Sequence, residues 1–283
     1  MTSFISWLGA DSRGPTSLYF ASDSRISWGN DPNTWDTGRK LFAARGSPEI
    51  FGFTGYVLLP QAILTRACDF IDRGFRSASV NESPEKCAEW LAALVQSEAR
   101  SHPRVFQDGF AIFYGLRSGE GMPDRSRFSL FHIGCSSRSG IVSTSAIPIP
   151  RTSSILRIDG SGGHSIERWA TSWENSDQGG TSRTMFSAFC DSISSGEDKC
   201  TGGEPQLVGL HRKGNGLVFG IVTKNGPSVE GMLDIAIDST AEIKWHDPLF
   251  QRVDRTGALL KNAQSHARPR QVAKAGTKGP SSS

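Results

Sequence analysis

A four-layer α+β sandwich, with helices packed outside two stacked sheets, is the fold class that the sequence predicts. Three observations point to it. Two pairs of helical segments are separated by strand-like runs, further strand-like runs open and close the array, and the first run alternates in the manner of a strand covered on both faces. At 283 residues the chain is long enough to bury a full core. Its 37% hydrophobic and 21% charged content are ordinary for a soluble protein. No apolar run approaches the roughly 18 to 20 residues of a membrane span, so no membrane partner is expected. The beginning of the chain lacks the basic region and apolar core of a signal peptide, and a cytoplasmic location is expected.

The elements follow in order. Thr2 to Ala10 reads as a strand with Phe4, Ser6 and Leu8 on one face and Ile5 and Trp7 on the other. Asp11 to Pro15 is turn chemistry, and Thr16 to Ala21 is a second strand ending in Ser22-Asp23-Ser24-Arg25. A polar loop leads to a third strand near Lys40 to Ala44 and a fourth at Glu49 to Thr54, closed by Gly55. Ile63, Ala67, Phe70 and Ile71 recur at helical spacing within Leu59 to Phe75, where Pro60 is tolerated in the first turn. A second helix runs from Pro84 to Arg100, with Ser83 as N-cap and Cys87, Trp90, Leu91, Leu94 and Val95 as its buried stripe.

Strands are predicted at Gly109 to Leu116, Phe128 to Cys135 and Ser153 to Ile158, the last leading into Asp159-Gly160-Ser161-Gly162-Gly163. His164 to Trp173 and Thr181 to Ser194 have helical period, and Gln206 to His211 and Gly216 to Val222 return to strand. The predicted domain covers residues 2–225. A C-terminal extension covers 226–261, with strand-like pieces at Met232 to Ile237 and Ala241 to Lys244. Residues 262–283 are rich in Ala, Pro, Ser, Lys and Arg and are predicted to form a disordered basic tail.

Thr2 stands directly after Met1, so removal of Met1 would give one residue both a hydroxyl nucleophile and a free α-amine. An α-amine has an ordinary pKa of about 7.7 to 8.0 and can serve as the base for that hydroxyl. Such chemistry needs a nearby cation, a carboxylate to hold it, and an N–H donor for the oxyanion. Asp23 at the end of the second strand and Lys40 at the start of the third have a spacing that can bring them to one end of a sheet.

Several segments then occur in a telling order: Thr2 after Met1, Ala21-Ser22-Asp23-Ser24-Arg25, Arg39-Lys40-Leu41, Gly52-Phe53-Thr54-Gly55, Gly160-Ser161-Gly162-Gly163 and Asp198-Lys199-Cys200-Thr201-Gly202-Gly203. In this the chain resembles a proteasome β-type subunit, a family of N-terminal nucleophile hydrolases, and is closest in style to the bacterial proteasome-like peptidases. The resemblance spans Thr2 to about Val222. It implies Thr2 as nucleophile, Lys40 as the group that eases deprotonation, and Asp23 as the partner of Lys40. It further implies Ser161, Asp198 and Thr201 as the network holding the α-amine, with Thr201 where the family usually has serine. Gly55 matches the oxyanion donor, Ser27 the stretch that pairs with extended substrate, and Phe53 the vicinity of the pocket before the scissile bond. The first hairpin is about five residues longer than the family's, a difference that loops tolerate.

The implied activity is threonine peptidase chemistry on polypeptide substrate, in a homo-oligomeric ring that an ATP-dependent unfoldase could feed. Two other readings stay open: an inactive structural or binding subunit of the same fold, and a small-molecule amidase. No metal or organic cofactor is expected. The six histidines lack metal-ligand spacing, and the five scattered cysteines read as reduced packing residues. Nucleic acid is not the expected partner of the basic tail, which reads first as a solvated end.

Overall fold

The computed structural model describes residues 2–28, 33–102, 109–122, 124–137, 140–233, 235–238 and 241–269. The fold is mixed α and β, with two large, chiefly antiparallel sheets and four α-helices among the described residues. The first sheet is built from β1 (Phe4–Asp11), β2 (Gly14–Ser22), β10 (Ser154–Asp159), β11 (Gln206–His211), β12 (Leu217–Thr223), β13 (Gly226–Val229) and β14 (Met232–Leu233), in the order β10-β1-β2-β11-β12-β13-β14. β15 (Lys244–His246) joins β12 in parallel, and β16 (Arg252–Val253) pairs with β15. The second sheet runs β5 (Leu41–Ala43), β6 (Glu49–Gly55), β7 (Phe110–Ser118), β8 (Arg127–Cys135), β9 (Val142–Ile147). β3 (Ile26–Ser27) and β4 (Thr34–Trp35) form a separate small hairpin.

The alternation along β1 and β2 divides the core. Ile5, Trp7, Tyr19 and Ala21 pack with Phe186 and Phe189 of helix α4 (Ser182–Ser194) and Ile166 of helix α3 (Gly163–Glu174). Phe4, Leu8, Leu18 and Phe20 point the other way and cluster with Ile50, Phe113 and Leu130 of the second sheet. The opposite face of that sheet, through Phe51, Phe53, Ile112 and Tyr114, packs with Ile63 and Leu64 of helix α1 (Leu58–Asp72) and Leu91 and Val95 of helix α2 (Pro84–Ser101). Period-two burial on both faces of a strand is what the continuous apolar sequence of β1 requires. Phe4 and Phe113 stack at 4.2 Å between ring centroids, joining the two sheets through one aromatic pair.

Helix ends follow local chemistry. Ser83 Oγ accepts from Lys86 N at 3.2 Å, capping α2, and Thr181 Oγ1 does the same for Thr184 N in α4. α1 stops at Asp72 rather than running to Phe75, because Gly74 adopts φ +68° and the N–H groups of Gly74 and Phe75 bond back to Ile71 O and Phe70 O. β9 has no counterpart among the strands predicted from sequence. It is an edge strand whose Ser-Thr-Ser stretch is exposed, so it lacks the apolar alternation by which strands are recognised.

The C-terminal segment continues the first sheet, with β13 and β15 both paired to β12. Its strands are shorter and displaced from the predicted pieces: Met232–Leu233 in place of Met232 to Ile237, and Lys244–His246 in place of Ala241 to Lys244. The position of β15 is set by Trp245, whose ring lies over Gly220, where a side chain would overlap it. Of the predicted tail, residues 262–269 lie within the described chain, and 270–283 lie outside it. Arg268 forms a two-pronged ion pair with Asp191 of α4, at 2.6 and 2.8 Å, and its guanidinium stands 5.9 Å from the Trp173 ring. No helix among the described residues is long and apolar enough to cross a membrane.

Candidate active site

Asp23, directly after β2 of the first sheet, and Lys40, directly before β5 of the second, come together. Asp23 and Lys40 are both fully buried, and Lys40 Nζ donates to Asp23 Oδ1 at 2.7 Å. The same oxygen accepts from Ser3 N at 2.9 Å, which is the peptide N–H joining Thr2 to Ser3. Asp23 Oδ2 accepts from Arg25 N at 3.2 Å and from Gly202 N at 3.1 Å. The carboxylate thus has four donors, enough to hold its charge out of water. Burial pushes the Lys40 ammonium below its ordinary value of 10.5, against the opposing pull of Asp23.

A second network lies on the other side of the chain's first residues. Asp198 Oδ2 accepts from Ser161 Oγ at 2.9 Å and from Thr201 Oγ1 at 2.8 Å, while Oδ1 accepts from Cys200 N at 2.9 Å. Partial burial raises the Asp198 pKa, but these three donors outweigh it and leave the carboxyl below its usual range. Ser3 connects the two networks, because its N–H reaches Asp23 and its hydroxyl lies 2.7 Å from Thr201 Oγ1. Arg25 braces the same corner, with its guanidinium paired to Asp36 at 2.7 Å and donating to Lys199 O at 3.1 Å.

Thr2 is fully buried, and its Oγ1 has no hydrogen-bond partner among the described residues. It forms part of the wall of a cavity of about 680 Å³, together with Thr54, Gly55, Asp159, Gly160 and Ser161. Gly55 takes φ +88° at the end of β6, a conformation that glycine alone adopts readily. Thr54 Oγ1 donates to Asp159 Oδ1 at 2.9 Å, tying two lining residues of the cavity together. A buried hydroxyl without a partner costs about 1–3 kcal/mol and is the kind of exception that catalytic positions show.

Thr2, Gly55 and Ser161 therefore share the cavity, while Asp23, Lys40, Asp198 and Thr201 stand behind it in the two networks. Ser27 is not part of the cavity wall; it lies on β3, paired with Thr34. Phe53 is also outside the wall. Its side chain is fully buried among α1, α2 and the second sheet, because strand alternation turns Thr54, one residue on, toward the cavity. His132 lines the cavity from β8, although no motif in the sequence marks it. Burial, with help from Arg157, lowers its pKa below 6.5, so a neutral imidazole faces the cavity near neutral pH. Gln206 is a further residue without a sequence signal, and it bonds the backbone of both Lys40 and Gly38. Among the described residues no group of His, Cys, Asp and Glu could hold a metal ion.

Gly160 has φ +90°, and a β-carbon there would overlap the carbonyl oxygen of Thr2. Gly160→Ala is expected to displace Thr2 and lower reaction of its hydroxyl with an electrophile by about 100-fold, the usual consequence of a 1 Å misplacement. The rate of covalent labelling, compared with that of the unaltered protein, checks this. An unchanged rate would mean that the 160–163 turn does not locate Thr2.

No family model matches the chain, and no curated protein matches it. Among solved structures, Anbu (ancestral beta-subunit) from Yersinia bercovieri is similar over 74% of this chain and 82% of that chain, at 14% identity and a TM-score of 0.48. These findings correct the expectation that the chain is a proteasome β-type subunit close to the bacterial peptidases: no family model or curated protein supports it, and the structural likeness is weak. The physical reason is that short Gly, Ser and Asp motifs specify turns and a polar network, and leave the rest of the core, which a family model reads, unconstrained.

Proposed function

We propose that the chain is a threonine hydrolase that cleaves peptide bonds once the bond between Met1 and Thr2 has been cut. The observation that carries this reading is the fully buried Thr2 Oγ1, without a hydrogen-bond partner among the described residues, on the wall of a cavity. One Asp23 oxygen is shared by Lys40 Nζ and the peptide N–H that follows Thr2. We also read the packing of helices, two sheets and helices as a four-layer sandwich, supported by one core cluster between the sheets and one on the outer face of each.

In this mechanism the freed Thr2 amine takes the proton of Oγ1 as that oxygen attacks the substrate carbonyl. Lys40, held by Asp23, lowers the cost of negative charge on Oγ1. The Gly55 N–H serves the oxyanion, and Ser161 with Asp198 and Thr201 orients the amine. The amine then protonates the departing nitrogen, and water attacking the ester carbonyl releases the acyl group and restores Thr2.

Polypeptide and small-amide substrates are separated by turnover. Fluorogenic peptides with extended acyl portions are expected to give a higher kcat/KM than the same leaving group on an acetyl or single-residue acyl group, because remote binding contributes to catalysis. A preference for the short acyl groups would assign the site to a small-molecule amidase.

A further inference from the structure

We propose that Gln206 is a positioning residue that fixes Lys40 against Asp23, and that Gly231 of the C-terminal segment closes the pocket holding the Gln206 amide. The kinetic part of this inference rests on the threonine-hydrolase reading; the geometric part does not. Gln206 opens β11 and is 2% exposed. Its Oε1 accepts from Lys40 N at 3.0 Å and Leu41 N at 3.3 Å. Its Nε2 donates to Gly38 O at 2.7 Å and Ser24 Oγ at 2.8 Å, with Asp23 O at 3.4 Å. A side-chain amide has two lone pairs and two N–H groups, and here all are engaged.

The partners divide into two sets. Gly38, Lys40 and Leu41 belong to the segment that presents the lysine, whereas Asp23 and Ser24 belong to the segment that presents the carboxylate. One amide therefore spans both halves of the ion pair and sets the distance between their backbones. Lys40 lies just before β5, so this amide serves its N–H in place of a strand partner.

The C-terminal segment is seated on the far side of the amide. Gly231 takes φ +84°, and a β-carbon there would overlap Ser24 Oγ and stand 3.3 Å from Gln206 Nε2. Next to it, Glu230 pairs with Arg39, the neighbour of Lys40, at 2.7 Å. The segment is thus a wall of the site rather than an appendage. The charged groups that act on Lys40 are Asp23, Asp36 and Arg25, and the Glu230–Arg39 pair flanks it on the C-terminal segment's side.

The test uses the full chain with Gln206→Glu, Gln206→Leu and Gly231→Ala. NMR titration of the Lys40 ε-methylene, identified by its absence from a Lys40→Met variant, is paired with peptide hydrolysis. Gln206→Glu keeps the shape and both acceptor positions, loses the donors to Gly38 and Ser24, and brings a carboxylate toward Lys40. It is expected to raise the Lys40 pKa by about 1 unit or more. Gln206→Leu and Gly231→Ala are expected to move the same titration and to lower kcat by about 100-fold with KM unchanged. A Lys40 titration and kcat equal to those of the unaltered protein in folded Gln206→Glu or Gln206→Leu would overturn the role of Gln206, and in folded Gly231→Ala that of Gly231. If the unaltered protein does not hydrolyse peptides, the titration still decides: a moved Lys40 supports the positioning role and removes only the hydrolase reading.

Discussion

Thr2→Ala is expected to lower amide hydrolysis by about 10⁴-fold or more while the protein stays folded, since removing a nucleophile abolishes the covalent route and leaves only binding and oxyanion stabilisation. The fold should tolerate the change because Thr2 Oγ1 makes no hydrogen bond whose loss would be felt. Removing a buried hydroxyl that has no partner relieves a desolvation cost and offsets the loss of one methyl group. The backbone bonds at Ser3 N and Ser3 O to Asp23 do not involve the altered side chain. Thr2→Ser keeps the hydroxyl and should keep measurable turnover. Steady-state kinetics with a thermal melt on each variant checks both halves. Equal turnover by Thr2→Ala and the unaltered protein would remove Thr2 from the mechanism.

Lys40→Met is expected to lower both activity and stability. The side chain is fully buried, and its ammonium is one of four donors to an equally buried carboxylate. Removing one partner of a buried pair leaves a charge without its counterion and costs about 3–5 kcal/mol. The three backbone N–H groups that remain on Asp23 place the expected loss near the lower end, about 3 kcal/mol. Denaturant unfolding measures it. The pH dependence gives a second check. Burial depresses the folded-state pKa of Lys40, so between that value and the ordinary 10.5 the unfolded chain binds more protons and stability from this group rises with pH. As pH falls through the folded-state value that contribution is lost. Lys40→Met should lack this rise. A variant as stable as the unaltered protein, with the same alkaline behaviour, would show that the pair does not hold the site together.

What could be read in the sequence was what alternation and capping chemistry record. The two faces of β1, the cap at Ser83 and the helical stripe through Leu91 and Val95 are local patterns, and the structure uses them as written. Asp23 and Lys40 could be suspected together because each borders a strand end, and strand ends meet where sheets meet. Gln206 left no trace, since apart from Ser24 Oγ its bonds go to backbone atoms, among them those of Lys40, Leu41 and Gly38, which every residue type offers in some form. Phe53 illustrates the opposite difficulty. A motif locates a strand, but which of two consecutive residues faces the cavity depends on the register of β6 against β7, where Phe53 lies opposite Ile112. β9 and β15 were missed or displaced because one is a polar edge and the other is set by a single tryptophan over Gly220.

The proposed chemistry requires a primary amine on Thr2. Intact-mass measurement of the purified full chain, before and after reaction with a threonine-directed electrophile and followed by peptide mapping, tests that most directly. A chain lighter by one methionine that gains a single adduct on Thr2, with no adduct in Thr2→Ala, is the expected result. A chain that retains Met1 on Thr2, or an adduct located on any other residue, would contradict it.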